Sequence, residues 1–454
     1  MTTDNSPNIL ETEKIGALLW RYSIPAIVAT TASSLYNVID RIFIGHGVGP
    51  MAISGLALTL PIMNLSAAFG SLIGAGASSM VSIRLGEKDT GRASHILGNA
   101  SMLNVIIGIV YSIIMLAFID RILFLFGASK ETLPYAKEFM HIILLGNVVT
   151  HLYMGLNNIM RSSGYPRKAM AATLLTVGLN LVLAPLFIFW FKWGIKGAAF
   201  ATVAAQSAGL AWILFHFMNK NSTVHFLKGH FKLRLNIILD ILSIGMSTFI
   251  MFVCTSLVAI IVNIKLVSYG GDYAVGAYGI IASMITMFMM IVLGFNQGMQ
   301  PIAGYNYGAR RFQRVKEVFT KTLVAGTCVT SFGFILIELF PGLVASAFTS
   351  DGQLIAVSST GMRISFAVFF IVGFQMVTAN FFQSIGHAKV SVILSLSRQV
   401  IFLIPMIYII SSFGGLYGIW AAMPASDLLA SLVTFFLLRY QMKKLSEKFN
   451  RESV

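Results

Sequence analysis

The chain has 454 residues, of which 56% are hydrophobic and 11% charged, against about 25% charged in an average soluble domain. That excludes an ordinary soluble globular protein. The formal net charge of +15 points either to a nucleic-acid partner or to a membrane topology signal, and the placement of the charges decides between them. A spanning helix needs about 20 mostly apolar residues. Such runs are predicted at 17–45, 55–83, 95–119, 134–159, 168–191, 195–217, 238–265, 274–303, 315–340, 354–383, 388–410 and 415–438. Residues 96–119 and 274–309 hold no charge at all. No run alternates with the period of two expected of barrel strands. The N-terminus carries Asp4, Glu11 and Glu13 where a signal peptide would be basic, so the first run is read as a retained helix. Cys254 and Cys328 lie in apolar runs and make neither a disulfide framework nor a zinc ligand set.

With both termini placed in the cytoplasm, 23 of the 32 basic residues fall on that side, among them Arg84, Arg161, Arg167, Lys228, Arg310 and Lys444. Five fall in the outer loops: Arg121, Lys130, Lys192, Lys196 and Lys265. Positive charge marks the inner side, so the excess is a topology signal and the nucleic-acid reading falls away.

The two halves repeat. Gly76 and Gly86 align with Gly298 and Gly308, and Ser162 and Gly164 with Ser384 and Gly386, all at an offset of 222 residues. Gly194 and Gly197 align with Gly415 and Gly418 at 221. Each repeat holds six spans, an even number, so both halves enter the membrane in the same orientation. The expectation is an all-α polytopic membrane protein. Its twelve transmembrane helices form two six-helix lobes related by a pseudo-two-fold axis along the membrane normal. The expected divisions are a cytoplasmic segment 1–16, a first lobe 17–217, a cytoplasmic linker 218–237, a second lobe 238–438 and a basic tail 439–454.

The motifs are SIPAIVATTASSLYNVIDRIFIG, GAGASSMVSIRLGEKD, RSSGYPR and TVGLNLVLAPLFIF in the first half. GFNQGMQPIAGYNYGARR, FFQSIGHAKVSVILSLSRQVIFLIP and GLYGIWAAMPASDLLA follow in the second. In this order, over about residues 15–440, the chain resembles the multidrug and toxic compound extrusion (MATE) transporters, especially their DinF/MepA-like branch. The resemblance implies a central cavity that opens alternately to each side of the cytoplasmic (inner) membrane. It also implies export of small amphipathic, often cationic, compounds against an inward flow of protons or sodium. No other cofactor is expected.

Asp40 is the sharpest single residue. It lies in the first span, with Tyr36 and Asn37 at i−4 and i−3 on the same helix face. A carboxylate within a span is costly and usually functional, and burial disfavours its charged form. It could take a proton on one side and release it on the other; the structural alternative is a partner for Arg41. By family position, the polar neighbours of this acid fall on Asn157, Asn180 and Thr202, with interhelical hydrogen bonding as the bland reading. The family motif in the fifth helix commonly carries a second acid where this chain has Ala184. A sodium site would want that carboxylate, which favours the proton.

In the second half, Arg398 and Asp427 are the intramembrane ionisable groups. They either pair structurally or serve substrate or coupling. Met287, Gln297 and Gln300, in a Met-rich stretch near Pro301, are candidates for a substrate cavity with Tyr36 and Asn37, since methionine surfaces repack around different ligands. Plain packing is the alternative. His151 and His216 in the spans are read as hydrogen-bonded structural histidines. No nucleotide-binding, zinc-protease or serine-hydrolase motif occurs, so the chain is not expected to be an enzyme. The competing class is a flippase or exporter of lipid-linked saccharides or other amphiphiles. An anionic diphosphate would want several buried basic residues, and Asp40 would repel it. The expected partners are the substrates and the bilayer, with no nucleic acid, and the chain is expected to work as a monomer.

Overall fold

The computed structural model describes residues 8–227 and 229–452, so Asp4 and Lys228 lie outside the described residues. No strand occurs among them. The spans are α1 (Ile15–Gly47), α2 (Pro50–Gly86), α3 (Thr90–Leu125), α4 (Leu133–Leu145 and Asn147–Ser162), α5 (Pro166–Pro185, continued by Leu186–Trp190) and α6 (Gly194–Met218). The second half holds α7 (Leu235–Gly271), α8 (Tyr273–Gly308), α9 (Phe312–Leu339) and α10 (Gly352–Phe366 and Phe369–Ser384). α11 covers 388–414 and α12 covers 416–452, divided at Gly415, whose φ of 54° and ψ of −128° break the helix. Counted this way, the described residues form twelve spans, six in each half. The helices run a few residues past most apolar runs, because their ends continue into polar turns.

α4 and α10 are broken, by 56° and 47°. They occupy the same place in the two halves. In α5 and α11 the regular helix gives way to wider π turns, at Leu186–Trp190 and Ser397–Leu403. Prolines stand beside both. Pro185 precedes the first, and Pro405 follows the second, leaving the Ile401 carbonyl without its usual i+4 donor.

The backbone keeps the repeat. Left-handed residues recur in pairs 221 or 222 apart: Gly49 and Gly271, Lys88 and Arg310, Gly164 and Gly386, Gly194 and Gly415. Lys88 (φ 63°) and Arg310 (φ 56°) accept a conformation usually left to glycine, each in the turn after the second span of its half.

Contacts divide the chain into two compact units. The first holds Val28–Phe252; the second holds Lys14–Ile27 and the chain from Val253 onward. In the first unit, α2 and the start of α7 meet through reciprocal glycines. A Cβ on Gly76 would strike the Ile241 carbonyl, and one on Gly245 the Leu72 carbonyl. In the second, Gly294 and Gly298 of α8 lie against Ile27 and Ser23 of α1. Gly76 and Gly298 are repeat partners, so one packing solution is used twice: small residues let the backbones approach where lipid gives no hydrophobic drive between helices. The first unit's core gathers Ile44, Tyr111, Phe139, Leu144 and Ile188. That of the second gathers Met284, Phe288, Phe366 and Trp420. Large apolar side chains also face outward, as with Phe413 at 89% exposed, which suits a protein whose solvent is the bilayer.

The segment between α6 and α7 is fastened to α3. Asn99 Nδ2 donates to the carbonyls of His230 (3.2 Å) and Lys232 (3.1 Å), and its Oδ1 accepts from the Arg234 amide at 2.7 Å. The His95 and His230 rings pack at a tilt of 43° with centroids 3.9 Å apart, and burial, then Arg234 and His225, holds His230 below its usual pKa.

Candidate functional site

Each unit holds a polar cluster beside a buried acid within its spans. In the first, Tyr36 and Asp40 lie one turn apart on α1 and so share a face. The Tyr36 hydroxyl stands 3.1 Å from Thr202 Oγ1 of α6. Asn180 of α5 ties the two together, its Nδ2 donating to Tyr36 Oη at 3.0 Å and to Thr202 Oγ1 at 3.2 Å. Thr202 itself donates to the Ala198 carbonyl at 3.0 Å. Asn180 Oδ1 is buried with no partner among the described residues, and so is Asp40 Oδ1. Asp40 is 9% exposed, within electrostatic reach of Tyr36, and takes part in none of the ion pairs among the described residues. Arg41, next in sequence, is exposed. The result is a buried carboxylate without an ion-pair partner, one turn from a neutral polar cluster.

Not every predicted neighbour joins it. Asn157 of α4 donates to the Ala169 carbonyl at 3.0 Å and to Thr173 at 3.5 Å, and its Oδ1 accepts from Arg161 Nη2 at 3.3 Å. Arg161, counted by sequence with the cytoplasmic basic residues, is 8% exposed and also donates to Asn158 at 3.4 Å. Its i+4 spacing from Asn157 was the available signal. Asn37 is exposed and bonds back to the Ser33 carbonyl. Ala184, one turn beyond Asn180, is buried in the apolar core.

Three further polar contacts join spans of the first unit. Thr150 donates to Gln206 at 2.5 Å between α4 and α6. The fully buried His151 lies 3.0 Å from Ser66 Oγ, which donates to Asn147 at 2.5 Å beside the α4 break.

In the second unit, Arg398 Nε donates to Asp427 Oδ1 at 3.0 Å, joining α11 to α12. Gln375 of α10 donates from Nε2 to the Asp427 carbonyl (2.5 Å) and to Ser431 Oγ (2.6 Å), while its Oε1 is buried without a partner. Of the α8 candidates, Gln297 is half-buried with Oε1 unsatisfied, Gln300 is half-buried and bonded, and Met287 is 48% exposed. Met284, one turn earlier, packs in the core instead.

Twelve apolar spans define a multi-pass membrane protein, in which ionisable groups such as Asp40, Arg398 and Asp427 are costly to bury. The family model MatE matches residues 25–186 and 247–409, one match in each half. The chain belongs to the MatE family, whose members are transporters and not enzymes. It is 26% identical over 428 residues to the multidrug export protein MepA of Staphylococcus haemolyticus (strain JCSC1435), covering 94% of each chain. An outward-facing multidrug resistance MATE family transporter of the MOP superfamily superposes with a TM-score of 0.91 at 25% identity, over 98% of this chain and 100% of that one. So does a MOP superfamily transporter from Pyrococcus furiosus Vc1 (DSM3638), for which reverse polarity of the binding pocket suggests a different function. Its TM-score is 0.91 at 25% identity, over 98% of this chain and 99% of its own.

Proposed function

We propose that this chain is a secondary active exporter that extrudes small amphipathic, often cationic, compounds by alternating access in exchange for inward protons. The observation that carries the reading is Asp40, a buried carboxylate on α1 that takes part in no ion pair among the described residues and has an oxygen without a donor. Holding such a charge in a span is costly, and a proton removes the cost. A site that is stable only when neutralised, by a proton or by a cationic cargo, is the elementary requirement for exchanging one for the other. The multidrug export named for the MepA relative supports the cargo class. The predominance of basic residues on one side supports cytoplasmic termini in the inner membrane. Both halves of the repeat lie in one chain, which supports a working monomer.

Sodium is the second reading, favoured by Asn180 Oδ1, a buried oxygen free to coordinate. Against it stands Ala184, which leaves one carboxylate where a hard cation draws on several charged oxygens. The test is purified protein in liposomes loaded with ethidium, given a pH gradient alone and a sodium gradient alone. Export under the pH gradient only is expected; export under sodium only transfers the coupling to sodium, and export under neither ends the antiport reading.

A further inference from the structure

Coupling at Asp40 leaves the polar cluster of the second unit without a task. Three features set it apart from an ion pair kept for packing. First, the pair is joined at one point. The guanidinium has five N–H donors in a planar fork that favours two-point contact with a carboxylate, yet only Nε is used. Nη1 and Nη2 have no partner among the described residues, and the Arg398 side chain is 20% exposed against 11% for Asp427, so the pair is not fully sealed. Second, Gln375 is over-committed on one side and empty on the other. Its two Nε2 hydrogens go to the Asp427 carbonyl and to Ser431, which fixes the amide orientation because a carbonyl only accepts. Its Oε1 is then left buried with no donor. Third, Arg398 stands in the π turn Ser397–Leu403, a rare widening of a helix that is frequent at functional sites.

The free groups therefore come as complements: unused donors on Arg398, an unused acceptor on Gln375, and Asp427 between them. We propose that Arg398, Asp427 and Gln375 form a second ligand subsite that takes the zwitterionic head group of an amphipathic substrate. The ligand's carboxylate lies on the Nη edge of Arg398, and its ammonium is shared by Asp427 and Gln375 Oε1. The charge balance selects this class. Arg398 and Asp427 sum to zero, so a bare cation or a bare anion adds net charge to a low-dielectric site, whereas a zwitterion adds none. The subsite rests on the export reading only in taking the cargo to be an amphiphile; it requires nothing of Asp40.

The probes are S-decylcysteine, an amphiphile whose ammonium and carboxylate sit on one carbon as the subsite requires, and ethidium, a cation with no carboxylate. Binding of both is measured on the purified protein in nanodiscs, for the parent chain, Arg398→Met/Asp427→Leu, and Gln375→Met as a milder variant. Melting curves establish that each variant is folded. In the double variant the ratio of the two dissociation constants is expected to move against S-decylcysteine by about tenfold or more, the loss of one charge-assisted contact. Gln375→Met should move it the same way by less. An unchanged ratio in a folded variant overturns the subsite. Parent protein that binds ethidium but not S-decylcysteine also overturns it and leaves the export reading standing; parent protein that binds neither ends both.

Discussion

The two units solve the problem of a buried acid in opposite ways. In the first, Asp40 shares a helix face with Tyr36, whose hydroxyl joins Asn180 and Thr202, and none of these three neighbours carries a positive charge. In the second, Asp427 is held by the guanidinium of Arg398. Both clusters draw on the last two helices of their half, α5 and α6 or α11 and α12, so the repeat supplied one scaffold and the side chains diverged. The difference teaches which acid can change charge during transport. Neutralising Asp40 strands nothing. Neutralising Asp427 leaves a guanidinium alone in the span, which costs more than the acid it relieved.

The largest expected effect tests the first half of that contrast. Asp40→Asn keeps the shape and removes the charge, so gradient-driven export of ethidium from liposomes should fall to background. The melting temperature should hold or rise, because an uncompensated charge has gone. Export at the parent rate would remove Asp40 from the mechanism. The second half of the contrast is read on stability. Arg398→Met alone should destabilise the protein by about 3–5 kcal/mol, while Arg398→Met/Asp427→Leu should return to within about 1 kcal/mol of the parent, since an apolar pair replaces a buried ion pair at little cost. Denaturant unfolding of the two variants in detergent checks this; equal losses would mean that Asp427 does not depend on Arg398.

How far the sequence carried this contrast follows from which forces are local. The twelve spans were legible because bilayer insertion is read from composition alone. The repeat was legible because glycines at close approaches, such as Gly76 and Gly298, admit no substitute. Asp40, Arg398 and Asp427 stood out as charges in apolar runs, and the pairing of the last two was among the readings open from neighbouring spans. Asn157 was not legible. Its partners, Ala169, Thr173 and Arg161, depend on how α4 rotates after its break, and hydropathy does not record rotation. The π turn at Ser397–Leu403 also escaped, although Pro405 was in plain view, because a proline can be met by a kink as well as by a wider turn. The fastening of the linker to Asn99 rests on backbone carbonyls, which carry no sequence signature.

A third prediction moves the first cluster towards a cation site. Ala184→Asp places a second carboxylate one turn from Asn180, whose Oδ1 is already free. Export should then gain a dependence on sodium that the parent lacks, read as a severalfold stimulation by a sodium gradient at constant pH. If sodium has no effect, the absence of the acid at position 184 is not what selects the ion.

The smallest effects separate the two clusters at their hydroxyls. Thr202 accepts from both Tyr36 and Asn180, and Asn180 has no other acceptor than these two side chains. Thr202→Val therefore loosens the whole first cluster, at a cost of about 1–2 kcal/mol, the upper range for an interhelical hydrogen bond in a membrane. Ser431 accepts from Gln375, but that amide keeps its bond to the Asp427 carbonyl, which no side-chain change removes. Ser431→Ala should thus cost only about 0.6 kcal/mol. The melting temperatures of the two variants rank them directly. If Ser431→Ala is the more damaging, the amide of Gln375 depends on the serine more than on the backbone, and the second cluster is the more fragile of the two.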